Sequence, residues 1–218
     1  MEIILREEKK QQIRRRIMET AEAVIVNDGI SELRMEQIAR ASGMSRRSLY
    51  RYYQSKDSLI MEIAIGQFQQ WNSVQQAVFN SLSGTPSEKL EDFLKQLAAY
   101  GDRNRDLLIF MAEFDHHFRN ENGIELLALS TAVPENYFQM LSFTEVKVSA
   151  LLEEGIACGE FRKTDPGRTA LLIDHVLWIM GQNVAKRSEI LGREFGFNPT
   201  ELVYKQIEIY MEWLKNEK

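Results

Sequence analysis

Three of the four prolines in this 218-residue chain directly follow a residue able to cap a helix. Thr85-Pro86-Ser87-Glu88 and Asn198-Pro199-Thr200-Glu201 each place a cap, a proline at the first helical position and an acid three residues after the cap. Asp165-Pro166 repeats the cap and the proline without the acid. A capping oxygen satisfies amides that the first turn leaves orphaned, and proline presets φ for the helix. The fourth, Pro134, follows a valine and reads as the end of a loop. Alternating apolar and polar runs joined by hairpin turns are absent. The chain is therefore expected to be all-α.

The helical period places about nine helices, over 7–28, 35–42, 46–53, 56–80, 87–101, 105–119, 134–157, 166–191 and 199–216. The stretch 120–133 is ambiguous. In the first helix Ile13, Ile17, Ala21, Val24 and Ile25 form one apolar face, and Gly29 closes it. SLSGTPS over 81–87 is the clearest later break. A composition 44% hydrophobic supplies a core, and the single Cys158 excludes an intrachain disulfide framework. MEIILREEKK lacks the marks of a signal peptide. ALLIDHVLWIMG is short and holds Asp174 and His175, so no membrane span and a cytoplasmic location are expected.

The net charge of −5 hides an asymmetry. Residues 9–56 hold 11 Lys and Arg against five acids, a net of +6 that leaves −11 for the remainder. A basic head on an acidic body points to a polyanion partner for the head. Within it, MEQIARASGMSRRSLYRYY over 35–53 has the layout of a helix-turn-helix. Ala39 is small where two helices cross, Gly43 supplies the turn, and Ser45 caps the second helix. With Leu49 facing inward, Arg46, Arg47, Ser48, Tyr50 and Arg51 cannot all be buried. Arg46 and Arg47 lie in the first turn, the end that meets base edges. Lys56 joins the start of the following helix in holding a phosphate. Tyr53 shares the inward side with Leu49, and Tyr52 is assigned to neither side.

RMEQIARASGMSRRSLYRYYQSKDSL resembles the DNA-binding head of the TetR family of transcriptional repressors. The matching residues are Ile38, Ala39, Gly43, Met44, Ser45, Leu49, Tyr50, Tyr53, Lys56, Asp57 and Leu59, within about 13–60. Arg34 stands where the family has a capping Thr, Arg47 replaces a common Gly, and Tyr53 replaces the usual Phe. The resemblance implies a DNA-binding domain over 1–55 and a helical effector-binding and dimerisation domain over 56–218. Its DNA-contacting set is Arg34, Ser45, Arg46, Arg47, Ser48, Tyr50, Arg51, Tyr52 and Lys56. The partner is a palindromic double-stranded operator, and repression is relieved by a small molecule; activation with the same DNA chemistry is the alternative.

Two heads one helical turn apart require a homodimer. The candidate stripes are Leu172, Val176 and Ile179 on one late helix and Ile207, Tyr210 and Leu214 on the other. The resemblance implies a four-helix interface between them; otherwise both pack within one subunit. Phe93, Leu97, Phe110, Phe114, Tyr137, Met140 and Trp178 belong to an aromatic and methionine set of the kind that usually forms core. The resemblance implies that part of it lines a cavity for an apolar or aromatic effector, oriented by His117 and His175 with Asp174 and Glu113. Glu113, His117 and His175 also raise a metal or proton-transfer site. His-Glu-x-x-His, a paired-Cys motif and a phosphate loop are all lacking, so no enzyme, cofactor or metal is expected. A helical adaptor would explain the helices but not the basic face over 46–56.

Overall fold

The computed structural model describes residues 2–120, 137–196 and 198–215. Among them are ten α-helices, a 3-10 turn at Ile30–Glu32 and no strand. In chain order the helices are α1 (Glu2–Asp28), α2 (Met35–Ala41), α3 (Arg46–Tyr50), α4 (Lys56–Ser81), α5 (Pro86–Arg103) and α6 (Arg105–Asn120). Then follow α7 (Tyr137–Leu141), α8 (Phe143–Ala157), α9 (Pro166–Phe195) and α10 (Thr200–Leu214). The helix expected over 134–157 is interrupted at Ser142, and its first three residues lie outside the described ones. No helix of the described residues is long and apolar enough to cross a membrane.

The chain clusters into two compact units. One holds residues 1–67 and 110–135, the other 68–109 and 136–218. The first unit runs past the division at residue 55 because its core needs the start of α4. Leu59, Ile60 and Ile63 are buried there with Ile17, Ala21 and Ile25 of α1, Ile38 and Ala39 of α2, and Leu49 of α3. The α1 residues recur every four positions, which keeps them on one face of the helix. Gly43 takes φ 68 and turns α2 into α3, where a Cβ would be strained. α3 stops earlier than its apolar spacing suggested. The amides of Tyr52 and Tyr53 both bond the carbonyl of Leu49, at 2.8 and 3.0 Å, and the chain folds back so that the Tyr53 ring is buried.

In the second unit the predicted caps form. Thr85 and Glu88 make a reciprocal capping box with Pro86 in the first turn, and Asp165 accepts from Arg168 N at 3.0 Å. Asn198 Oδ1 accepts from Thr200 N at 3.1 Å, so its side chain serves α10 although the helix begins two residues later. α9 continues to Phe195 and ends at Gly196, φ 67. α5 packs against α8, α9 and α10, and α8 lies along α9. The shared core includes Leu90, Phe93 and Leu94 of α5, Val148 and Leu152 of α8, Ile173 of α9, and Val203, Ile207, Met211 and Leu214 of α10.

After α8 the chain reverses through Gly159, φ 81, and Phe161 folds back into the core over Gly155. A Cβ on Gly155 would lie 2.1 Å from the Phe161 ring, which is itself 2% exposed and has nowhere to retreat. Gly155→Ala is expected to lower unfolding stability by about 1–3 kcal/mol through overpacking, read as a lower urea midpoint.

Candidate functional site

The face of α3 turned away from the core is built by its buried one. Leu49 and Tyr53 anchor the segment, and a polar cluster braces Tyr53 from α1 and α4. The Tyr53 hydroxyl donates to Glu62 Oε1 at 3.1 Å, Arg14 Nε donates to the same oxygen at 3.1 Å, and Arg14 Nη2 pairs with Glu62 Oε2. The Arg14 guanidinium also covers the Tyr53 ring at 5.0 Å. Burial, with Glu62 beside it, pushes the Tyr53 phenol well above its ordinary range and keeps it a neutral donor. Sequence reading placed Tyr53 inward but missed its partners, because Arg14 and Glu62 lie 48 residues apart.

On the outward face Arg47 and Arg51 are exposed, and neither forms an ion pair among the described residues. Tyr50 is 37% exposed and Tyr52 half-buried. Ser45 caps α3, its Oγ accepting from Ser48 N at 3.1 Å while bonding Ser48 Oγ at 3.0 Å. Arg46 turns back onto the protein, 2.7 Å from Glu36 and over the Tyr50 ring at 5.5 Å. Arg34 occupies the N-cap of α2 without a side-chain cap and stays exposed, 3.9 Å from Glu32. Its guanidinium lacks the acceptor that a threonine would bring to that amide.

Lys56 stands differently from its expected role. Its Nζ donates to the carbonyl of Ile30 at 3.0 Å, while Ile30 N donates to Glu113 Oε2 at 3.2 Å. The two charges clasp the 3-10 turn from α4 and α6. His117, one helical turn after Glu113, lies 3.2 Å from Asp57. Glu113 and His117 therefore meet other residues of the first unit.

The second unit contains a cavity of about 80 Å³, partly open to solvent, between α4, α5, α6, α8, α9 and α10. Its walls are Trp71, Leu94, Leu97, Ala98, Leu108, Leu177, Trp178, Val184 and Val203, with the small residues Gly101, Gly181 and Ala185 among them. The polar lining is Asp102, Arg105, Thr144, Asp174 and Thr200. Asp102 accepts from Arg105 at 2.6 and 3.1 Å and from Thr200 Oγ1 at 2.7 Å. The Thr200 bond first and Arg105 second hold its carboxyl below the usual range. Asp174 lacks such a counter-cation. Burial pushes it up to about 6, Glu145 adds to the rise, and His175 and the Thr144 hydroxyl work against it.

Of the nine residues expected to hold a ligand, Leu97 and Trp178 line this cavity. Phe93 is fully buried, edge-on to Phe79 at 5.8 Å. Phe110 and Phe114 are core of the first unit. Met140 is buried and its carbonyl accepts from Asn72 at 3.0 Å. His175 follows Asp174 by one position, about 100° around the helix, and is exposed. The side chain of Tyr137 lies outside the described residues. Trp71 was not singled out in sequence; the small residues Gly101 and Gly181 within apolar stripes were the available signal.

The dimerisation stripes also divide. Leu172 and Ile179 on α9 are 61% and 49% exposed, and Val176 and Tyr210 are half-buried. Ile207 and Leu214 are instead fully buried, because α10 turns Val203, Ile207, Met211 and Leu214 inward. Its exposed apolar face carries Leu202, Ile209 and Trp213.

Residues 17–63 match the family model for bacterial regulatory proteins of the tetR family. No curated protein matches the chain. Among solved structures, a tetR-family regulatory protein from Rhodococcus RHA1 is similar at 18% identity and TM-score 0.67, covering 94% of this chain and 98% of that one. A protein from Saccharomonospora viridis solved in complex with choline is similar at 17% identity and TM-score 0.70, covering 95% and 100%. The ketosteroid transcriptional regulator KstR2 of Mycobacterium tuberculosis is similar at 16% identity and TM-score 0.67, covering 94% and 95%.

The clasp on Ile30 predicts that Lys56→Met lowers head stability by about 1 kcal/mol, the scale of a partly exposed charged hydrogen bond. Chemical denaturation checks this; a side chain serving phosphate alone would leave stability unchanged.

Proposed function

We propose that this chain, a member of the tetR family by its head and its fold, is a sequence-specific DNA-binding transcription regulator. It acts as a homodimer and represses from a palindromic operator until a small molecule binds in the body. The observation that carries this reading is α3 itself. Its inner face is locked by Leu49 and Tyr53, while Arg47, Tyr50 and Arg51 stand exposed on a segment held too rigidly to be a solvated loop. An arginine fork matches two acceptors on guanine, and the neighbouring Tyr50 hydroxyl suits a phosphate. Arg46 reaches DNA by exchanging Glu36 for a phosphate or a base.

The exposed apolar faces of α9 and α10 support self-association, since large surface patches of this kind mark protein contacts. The cavity supports effector binding: it is concave, mostly apolar and carries a few convergent polar groups. The choline complex of a fold relative supports a small-molecule effector for this architecture. α4 and α6 each contribute residues to both compact units, and they are the elements through which an effector would bias the head. Its leverage equals its differential affinity for the DNA-competent and incompetent states.

Selection of bound duplexes from a random DNA pool tests the reading, with recovery of an inverted repeat as the expected outcome. Arg47→Ala should then weaken operator binding roughly 5- to 150-fold, the equivalent of about 1–3 kcal/mol, and relax preference at one position per half-site. Ile179→Glu combined with Ile209→Glu should yield a folded monomer by sedimentation, with the inverted-repeat preference lost.

A further inference from the structure

The charge left inside the cavity selects its ligand. Of the three ionisable groups in the lining, Asp102 and Arg105 cancel each other, with Thr200 completing the Asp102 bonds. Asp174 remains, with Thr144 beside it in the lining and without an ion pair among the described residues. It sits on the cavity face of α9 with Trp178, Gly181 and Ala185, spaced 4, 3 and 4 apart. Trp178 packs against Trp71 with ring centroids 5.9 Å apart, so two indoles share the lining with the Asp174 carboxylate. Indole faces attract cations, and a desolvated carboxylate gains most from a partner of opposite charge. A neutral ligand would seal Asp174 away from water unpaired, and an anion would be repelled.

We infer that the cavity takes a monocationic organic molecule, an amine or quaternary ammonium with apolar substituents, whose charge pairs with Asp174 and whose carbon atoms lie against Trp71 and Trp178. This rests on reading the cavity as the effector site, and it adds a positive charge to the apolar or aromatic effector expected from the aromatic and methionine content. Gly181 and Ala185 are small residues of the same lining. Ionised Asp174 is the binding form. With its carboxyl near 6 in the empty protein, the cation preference is present at pH 7.5 and fades as pH falls through that value. The other charges around it are His175 on α9, Glu145 on α8, and the Asp102–Arg105 pair on α5 and α6.

The test is calorimetry and tryptophan fluorescence of the full-length protein, two of whose three tryptophans line the cavity. The probes are choline with its neutral isostere 3,3-dimethyl-1-butanol, and 4-phenylbutylamine with 4-phenylbutanol. At pH 7.5 at least one cation should bind tenfold or more tighter than its neutral partner. Asp174→Asn should bring the pair near parity while circular dichroism stays unchanged. In the wild type the preference should fall about tenfold at pH 5, where a carboxyl titrating near 6 is about nine-tenths protonated; His175→Gln should retain that fall. This arm needs no change at Asp174. Neutral partners binding as tightly as the cations would overturn the inference and leave the effector site standing. Binding of neither class at millimolar concentration would overturn both. A pH dependence lost in His175→Gln but kept in Asp174→Asn would assign the charge elsewhere and also defeat it.

Discussion

A helix of five residues does not hold itself together, and α3 is one. What holds α3 is the burial of Leu49 and Tyr53 beneath it and the Arg14–Glu62 pair that receives the Tyr53 hydroxyl. Burying a phenol without a partner would be costly, and Glu62 removes that cost while Arg14 neutralises Glu62. Because α3 is pinned on one side, Arg47, Tyr50 and Arg51 acquire a defined direction on the other. The Tyr53 hydroxyl thus adds a polar tie between α1, the segment after α3 and α4.

The first unit is also tied at its 3-10 turn. Ile30 receives Lys56 on its carbonyl and Glu113 on its amide, while His117 meets Asp57. These side chains would have been natural DNA or ligand contacts if each were judged by residue type alone. Their geometry makes them joints between α4, α6 and the turn. A movement of α6 relative to α4 would act on the turn that precedes α2, a physical route by which the position of α6 bears on α2 and α3.

The cavity has a different origin. Gly101, Gly181, Ala98 and Ala185 remove volume from helix faces that are otherwise filled with leucine, valine and tryptophan. Close packing elsewhere in the same unit, as at Gly155 under Phe161, shows that its glycines are not all alike in purpose. Gly155 admits a ring, whereas a Cβ at Gly181 would meet only Leu108, at 3.6 Å. Within the cavity Asp102 is satisfied by Arg105 and Thr200, so Asp174 decides the electrostatic character.

The all-α class, most helix positions, the capped starts at Thr85 and Asp165, the turn at Gly43 and the inward side of α3 were legible in the sequence, because each depends on spacing within a few residues. The exposure of Arg47 and Arg51 followed from the same local period. What only the tertiary structure decided are the partners across long separations: Arg14 with Glu62, Lys56 with Ile30, Glu113 and His117 with the head, and Trp71 with Trp178. Aromatic stripes at helical spacing look the same whether they fill a core or line a cavity. The difference lies in what faces them from other helices: Phe93 meets Phe79, whereas Trp178 meets Trp71 and also borders the cavity. Ile207 and Leu214 went inward for the same reason: periodicity defines a stripe, but only packing chooses which of two apolar faces of α10 is buried.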